Sequence, residues 1–160
     1  MAVDMFIKID DIKGESHDAK HQDEIDVLSW SWGVSQSGSM HAGGGGGSGK
    51  ANFQDLTLTK WVDLSSPKLI GAAATGKHYK QALLTVRKAG EKPLEYLKVT
   101  LNDCLISSVS TGGSGGEDRL TENVTINFAK FKIEYIQQKP DGTAGGVMPF
   151  AYDIKKNEVA

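Results

Sequence analysis

The chain has 160 residues, 39% of them aliphatic or aromatic, with a net charge of −2 and a pI near 6.1. That is enough for one domain with a substantial core, and it lacks the dense basic face that nucleic-acid binding requires. No apolar run approaches the roughly twenty residues of a membrane helix, and one cysteine, Cys104, excludes an internal disulfide.

In chain order, Val3 to Ile9 reads as a strand, and a charged connection runs on to about Glu24. Residues 1–26 hold eight acids and three lysines, leaving the remainder net positive. This acidic opening is either a set of solvated loops or a surface that meets a positive patch on another subunit. Asp26 to Gln36 alternates, with Leu28, Trp30, Trp32 and Val34 on the face expected to pack and Ser29, Ser31, Gly33 and Ser35 on the polar face. A glycine-rich segment at about 36–50 follows, long for a compact domain and so expected to be functional or disordered. Beyond it Phe53 and Leu56 lie in opposite strand phases. Ser66 as N-cap, Pro67 at the first helical position and Gly76 as stop predict a helix, with Leu69, Ile70, Ala73 and Ala74 as its packing stripe and Gly71 and Ala72 allowing close approach.

Tyr79 to Lys88, Leu94 to Ser110 and Glu122 to Gln137 read as further strands. In the last of these the apolar set moves from Val124, Ile126 and Phe128 to Phe131, Ile133 and Tyr135. A one-residue phase change within a strand marks a bulge or sharp bend, by which one strand can serve two sheets. With the shift after Phe53, this predicts a mainly β single domain over 1–160: a bent β-barrel or orthogonal sandwich with one α-helix.

Motifs that suggest chemistry fail on context. Gly44, Gly49 and Lys50 imitate a phosphate loop, but Ala51 stands where a Mg²⁺-binding hydroxyl belongs, and a strand pattern follows instead of a helix. Gly112 to Gly116 matches G-x-S-x-G around Ser114, yet leads into a strand, with no histidine after His78. His17 and His21 have helical metal-ligand spacing in a segment without helical periodicity. The carboxylate pairs Asp10–Asp11, Glu117–Asp118 and Glu91 with Glu95 lack an evident cleft to separate their pKa values. Trp30 and Trp32 could make a sugar or base platform, but their shared apolar face favours packing, and Cys104 reads as a packing residue. Cofactors, metals and catalysis are therefore not expected. The residues alone point to a binding or assembly module.

Several strings in order resemble the hemolysin-coregulated protein (Hcp) family, the tube subunit of bacterial type VI secretion. They are Met1 to Ile9, Lys13-Gly14-Glu15-Ser16, Ser29-Trp30-Ser31-Trp32-Gly33 through Ser37-Gly38-Ser39 and the glycine run, then Gly76-Lys77-His78-Tyr79, Val86 to Gly90 and Val109 to Glu117. The resemblance spans most of the chain and is weakest at 17–24 and after Gln138. It implies a bent barrel closing into a hexameric ring, with rings stacked into a hollow tube. Its expected partners are other copies of itself, a spike tip protein, a contractile sheath and effectors carried in the lumen, with no nucleic acid and no membrane insertion. On this reading the 36–50 segment docks one ring on the next through Ser37, Ser39, Met40, His41 and Lys50, and Ser29 and Ser31 face cargo in the lumen. The opening residues lack a cleavable secretory signal, so the protein is expected in the cytoplasm before firing and then outside the cell or inside a target cell. Because the chain ends at Ala160, no toxin activity is carried over. A soluble, lectin-like β-barrel and a hydrolase using Ser114 are the alternative readings.

Overall fold

The computed structural model describes residues 3–38 and 48–160. Ten strands and one helix follow in the order β1 (Val3–Ile9), β2 (Ile25–Ser31), β3 (Val34–Gly38), β4 (Ser48–Phe53), β5 (Leu56–Trp61), α1 (Ser66–Thr75), β6 (His78–Lys88), β7 (Leu94–Thr111), β8 (Thr121–Gln138), β9 (Ala144–Asp153) and β10 (Glu158–Val159). Strands pair in the order β8-β5-β2-β1-β6-β7, and β7 returns to β8, closing a six-stranded barrel. β9 and β10 extend outward from β8, while β3 and β4 form a separate two-stranded arm.

Alternation builds the barrel core. Ile7 and Ile9 from β1, Leu56 and Leu58 from β5, Leu84 from β6, Val99, Leu101 and Ile106 from β7 and Val124 and Ile126 from β8 are all buried in one cluster. Every second side chain on these strands points inward, and Leu69 of α1 joins the same cluster.

The phase change in β8 is real and has a specific cause. Its first half pairs with β5 from Leu56↔Ile126 to Trp61↔Thr121, and its second half pairs with β9 from Lys130↔Asp153 onward. Pairing with β7 keeps one register through the switch, from Leu97↔Tyr135 to Ile106↔Ile126. The strand therefore turns without slipping. Opposite the turn, Asp103 adopts φ 53, a left-handed conformation that bends β7 alongside it. The bulge in this pair lies elsewhere, between Ile106 and Ser108.

Three sequence expectations need correction. The alternating run through Val34 is not one strand: it breaks at Trp32–Gly33, and the chain leaves the barrel there as the arm and returns at Gln54–Asp55. The Gln54 amide bonds the Gly33 carbonyl at the base of this arm. A register shift between Val27 and Ser29 also displaces Leu28 from the core face, and Val34 is exposed. The helix is capped by Ser65, one residue earlier than expected. Its buried residues are Ser66, Leu69 and Ala72, while Ile70 is exposed and Gly71 faces open space. Gly76 stops it as expected, at φ 68. Finally, β9 and β10 were not anticipated.

One glycine is demanded by packing. A Cβ at Gly14 would lie 2.6 Å from the Glu24 carbonyl oxygen and 2.7 Å from Ile25 Cα. The β1–β2 connection crosses the start of β2 at a distance only glycine permits.

Candidate functional site

The polar face expected around Ser29 and Ser31 is wider than β2. In register across four strands lie Ser29, Thr59, Asn123 and Ser110, and beside them Ser31, Thr57, Thr125 and Ser108. All point away from the core, and neither row contains a charge. Thr59 Oγ1 donates to Asn123 Oδ1 at 2.7 Å, tying two of the strands together on this face. The i,i+2 pairs Thr57/Thr59, Asn123/Thr125 and Ser108/Ser110 were visible in the sequence, but only strand order could align them.

Ser37 and Lys50 lie on opposite strands of the arm, both exposed, and away from Ser29 and Ser31. Ser39, Met40 and His41 fall outside the described residues. Lys50 sits in the strand Ser48–Phe53, not at the helix N-terminus that a phosphate loop places after its lysine. Ser114 occupies an exposed turn closed by the Glu117 amide bonding the Ser114 carbonyl, again without a following helix.

An aromatic cluster joins the arm to the barrel and to β9. Trp32 meets Phe131 edge-on at 4.8 Å, Phe53 lies 5.5 Å from Phe131 and 5.1 Å from Tyr152, and Phe150 lies 6.1 Å from Phe131. Between arm and sheet these rings leave an open, mostly apolar groove of about 440 Å³, completed by Val34, Gln36, Ala51 and Ile133. The Trp32 indole N–H is buried with no acceptor among the described residues.

Exposed large apolar side chains gather in two places. Val34, Tyr135, Met148, Phe150 and Val159 lie on the arm, the second half of β8, β9 and β10, while Val147 points to the opposite face of β9. Val62, Leu64, Ile70 and Leu120 lie between β5 and α1, on α1, and just before β8. The Val62 amide bonds the Leu120 carbonyl at 2.8 Å, bringing two of these segments together. Measured along the bent path of β8, Leu120 and Tyr135 are separated by roughly 50 Å of strand at the usual rise per residue.

The acidic opening is largely satisfied within the chain. Arg87 binds Asp18 through its two terminal guanidinium nitrogens, Nη1 at 2.9 Å and Nη2 at 2.6 Å, and Nη2 also reaches Asp4 at 3.3 Å. That pairing holds the Asp18 carboxyl down to about 2, from an ordinary 3.8. His21 stacks on Phe6 at 4.5 Å, with Glu24 on one ring nitrogen and Glu95 on the other. Asp10 accepts the Lys80 and Gln81 amides, and Glu15 accepts that of Leu64. Five of the eight opening acids thus bond within the chain, holding the connection and β1 against the barrel. His17 is exposed, and among the described residues no three His, Cys, Asp or Glu side chains converge as a metal site.

Residues 6–135 match the family model for the type VI secretion system effector Hcp. The chain belongs to the Hcp family. It is 63% identical over 159 residues to Protein hcp1 of Pseudomonas aeruginosa, with 98% of each chain covered. The structure of Hcp1 from Salmonella typhimurium superposes with a TM-score of 0.83 at 38% identity over the full length of both chains. A structure described as that of a type six secretion system protein gives 0.94 at 31% identity, covering 99% of this chain and 100% of the other. Hcp proteins are the tube and effector proteins of type VI secretion, so this chain is a secreted structural protein of that system.

Proposed function

We propose that this Hcp chain acts as one domain over residues 1–160 that closes head-to-tail into a hexameric ring, and that its rings stack into a hollow tube. The observation that carries this reading is the division of the exposed apolar side chains into two separate patches. A ring made by rotation needs two different surfaces on each subunit, whereas a two-fold dimer needs one self-complementary surface.

The uncharged hydroxyl rows form the lumen wall, and Ser29 and Ser31 contact cargo there. The arm reaches the next ring through Ser37, Ser39, Met40, His41 and Lys50. A spike tip protein, a contractile sheath and carried effectors complete the apparatus. The protein waits in the cytoplasm and leaves when the tube is expelled.

Electron microscopy with sedimentation of the purified chain tests the assembly: rings are expected, and a monomer at every concentration would refute it. Met148→Asp, at a side chain 73% exposed, is expected to weaken ring closure at least tenfold while leaving the circular dichroism spectrum unchanged. Rings that form normally in this variant would remove the β9 patch from the interface.

A further inference from the structure

A second feature lies beneath the patch that contains Leu64, and its chemistry is unusual for a barrel core. Lys60 and Glu122 are both fully buried, at 0% exposure of their side chains. Lys60 Nζ lies 2.5 Å from Glu122 Oε2, 3.1 Å from Asp63 Oδ1 and 3.3 Å from Ser66 Oγ, and donates to the Trp61 carbonyl at 2.7 Å. Ser66 Oγ donates to Glu122 Oε2 at 2.6 Å and accepts the Asp63 amide at 2.9 Å. Asp63 Oδ1 in turn accepts the Ser65 amide at 2.8 Å.

Taking two such charges out of water costs several kcal/mol per ion, and apolar residues of similar volume often give equal or greater stability. The cluster therefore stands where a simpler solution for folding exists. What it does achieve is placement. Val62 lies between Lys60 and Asp63, Leu64 between Asp63 and Ser65, Ile70 one turn beyond Ser66, and Leu120 two residues before Glu122. Every member of this apolar patch is carried by backbone that the cluster pins. Hydrogen bonds of fixed direction set the path of a chain segment more narrowly than apolar contact does.

We propose that Lys60, Glu122, Asp63 and Ser66 form a buried positioning latch that fixes the patch of Val62, Leu64, Ile70 and Leu120 for docking against a second copy of this chain. The proposal rests on the head-to-tail reading above and specifies which internal residues shape one of its two surfaces. None of the four touches the partner. They act through the segment they hold.

The test separates folding from assembly. The double substitution Lys60→Met with Glu122→Leu is expected to keep or raise the melting temperature of dissociated subunits. It is also expected to weaken ring association at least tenfold by sedimentation velocity and to speed hydrogen exchange of the amides from Val62 to Leu69. Association equal to the unsubstituted chain, with exchange unchanged, would overturn the latch. Should the double variant fail to fold, Ser66→Ala carries the test: weakened association with faster exchange from Val62 to Leu69, in subunits that still fold, supports the latch, and unchanged association refutes it. Leu64→Asp checks the underlying surface separately. If that variant assembles normally the patch is not a contact and the proposal falls with it, whereas lost assembly in Leu64→Asp beside normal assembly in the double variant rejects the latch alone.

Discussion

At the residue scale the acidic opening of the chain shows what composition leaves open. Its negative excess fits either solvated loops or an external partner, and Arg87 and His21 use part of it to hold the β1–β2 connection over Phe6. The pairing has a pH signature. The Asp18 carboxyl is depressed to about 2 by Arg87, so its contribution to stability is fully present above its unfolded value of 3.8 and is lost as pH falls through about 2. Because Asp18 is 24% exposed, solvent screening trims that contribution to about 1–2 kcal/mol. Asp18→Asn should therefore lower the melting temperature at pH 7 by several degrees and flatten its fall between pH 4 and 2. A variant whose acid limb parallels that of the unsubstituted chain would contradict the assignment. Cys104 offers a second check, since burial pushes its thiol up to about 12. It should resist thiol reagents at pH 8 until the barrel opens, making its modification rate a measure of opening. Rapid labelling under native conditions would place the thiol outside the core.

At the scale of elements, what the sequence disclosed was periodicity, and what it hid was partnership. The shift from Phe128 to Phe131 was legible because a change of sheet reverses which face is covered, and β8 does exchange β5 for β9 there. The same alternation concealed the break at Trp32–Gly33, because an arm packed through aromatic side chains keeps the hydrophobic rhythm of a barrel strand. β9 was illegible for a different reason. Its run Ala144-Gly-Gly-Val-Met-Pro-Phe combines poor strand formers with exposed apolar residues, and Pro149 is tolerated because the strand lies outside the closed barrel. The helix stripe was misjudged because burial of α1 follows Ser66, Leu69 and Ala72, a line set by the polar cluster at its N-terminus. Of the candidate residues, Ser29 and Ser31 were readable as a polar face, while the rows that continue it needed the strand order. The joint between arm and barrel should depend on Phe131, which contacts Trp32, Phe53, Phe128, Phe150 and Tyr152. Phe131→Ala is expected to cost about 3–5 kcal/mol, visible in chemical denaturation. A loss below about 1 kcal/mol would mean that the joint closes over the gap.

For the whole molecule, the proposed assembly gives three surfaces separate tasks, and each can be disabled separately. In that proposal the two apolar patches close the ring, the uncharged rows face the lumen, and the arm spans to the next ring. Closure and stacking have different physical requirements, because a ring contact closes on itself whereas a stack repeats without limit and must be weak enough to be regulated. Shortening the segment between Ser37 and Lys50 should therefore leave single rings intact and reduce tubes and secretion, since the two patches remain. Normal tubes and normal secretion from the shortened chain would show that the arm is not the stacking contact. A bulky residue at Ser31 should do the converse. It lies in register with Thr57 and Thr125 on the uncharged face, so Ser31→Gln fills space in the wall without touching either patch. Rings should form with unchanged yield while retention of a co-produced effector falls, and retention equal to that of the unsubstituted ring would move cargo contact off this row. Because the two rows carry no charge of their own, with the nearby Asp55 carboxylate bonded to Ser107 and Asn127, retention at Ser31 should also change little between low and high salt, which distinguishes a hydrogen-bonding row from an electrostatic one.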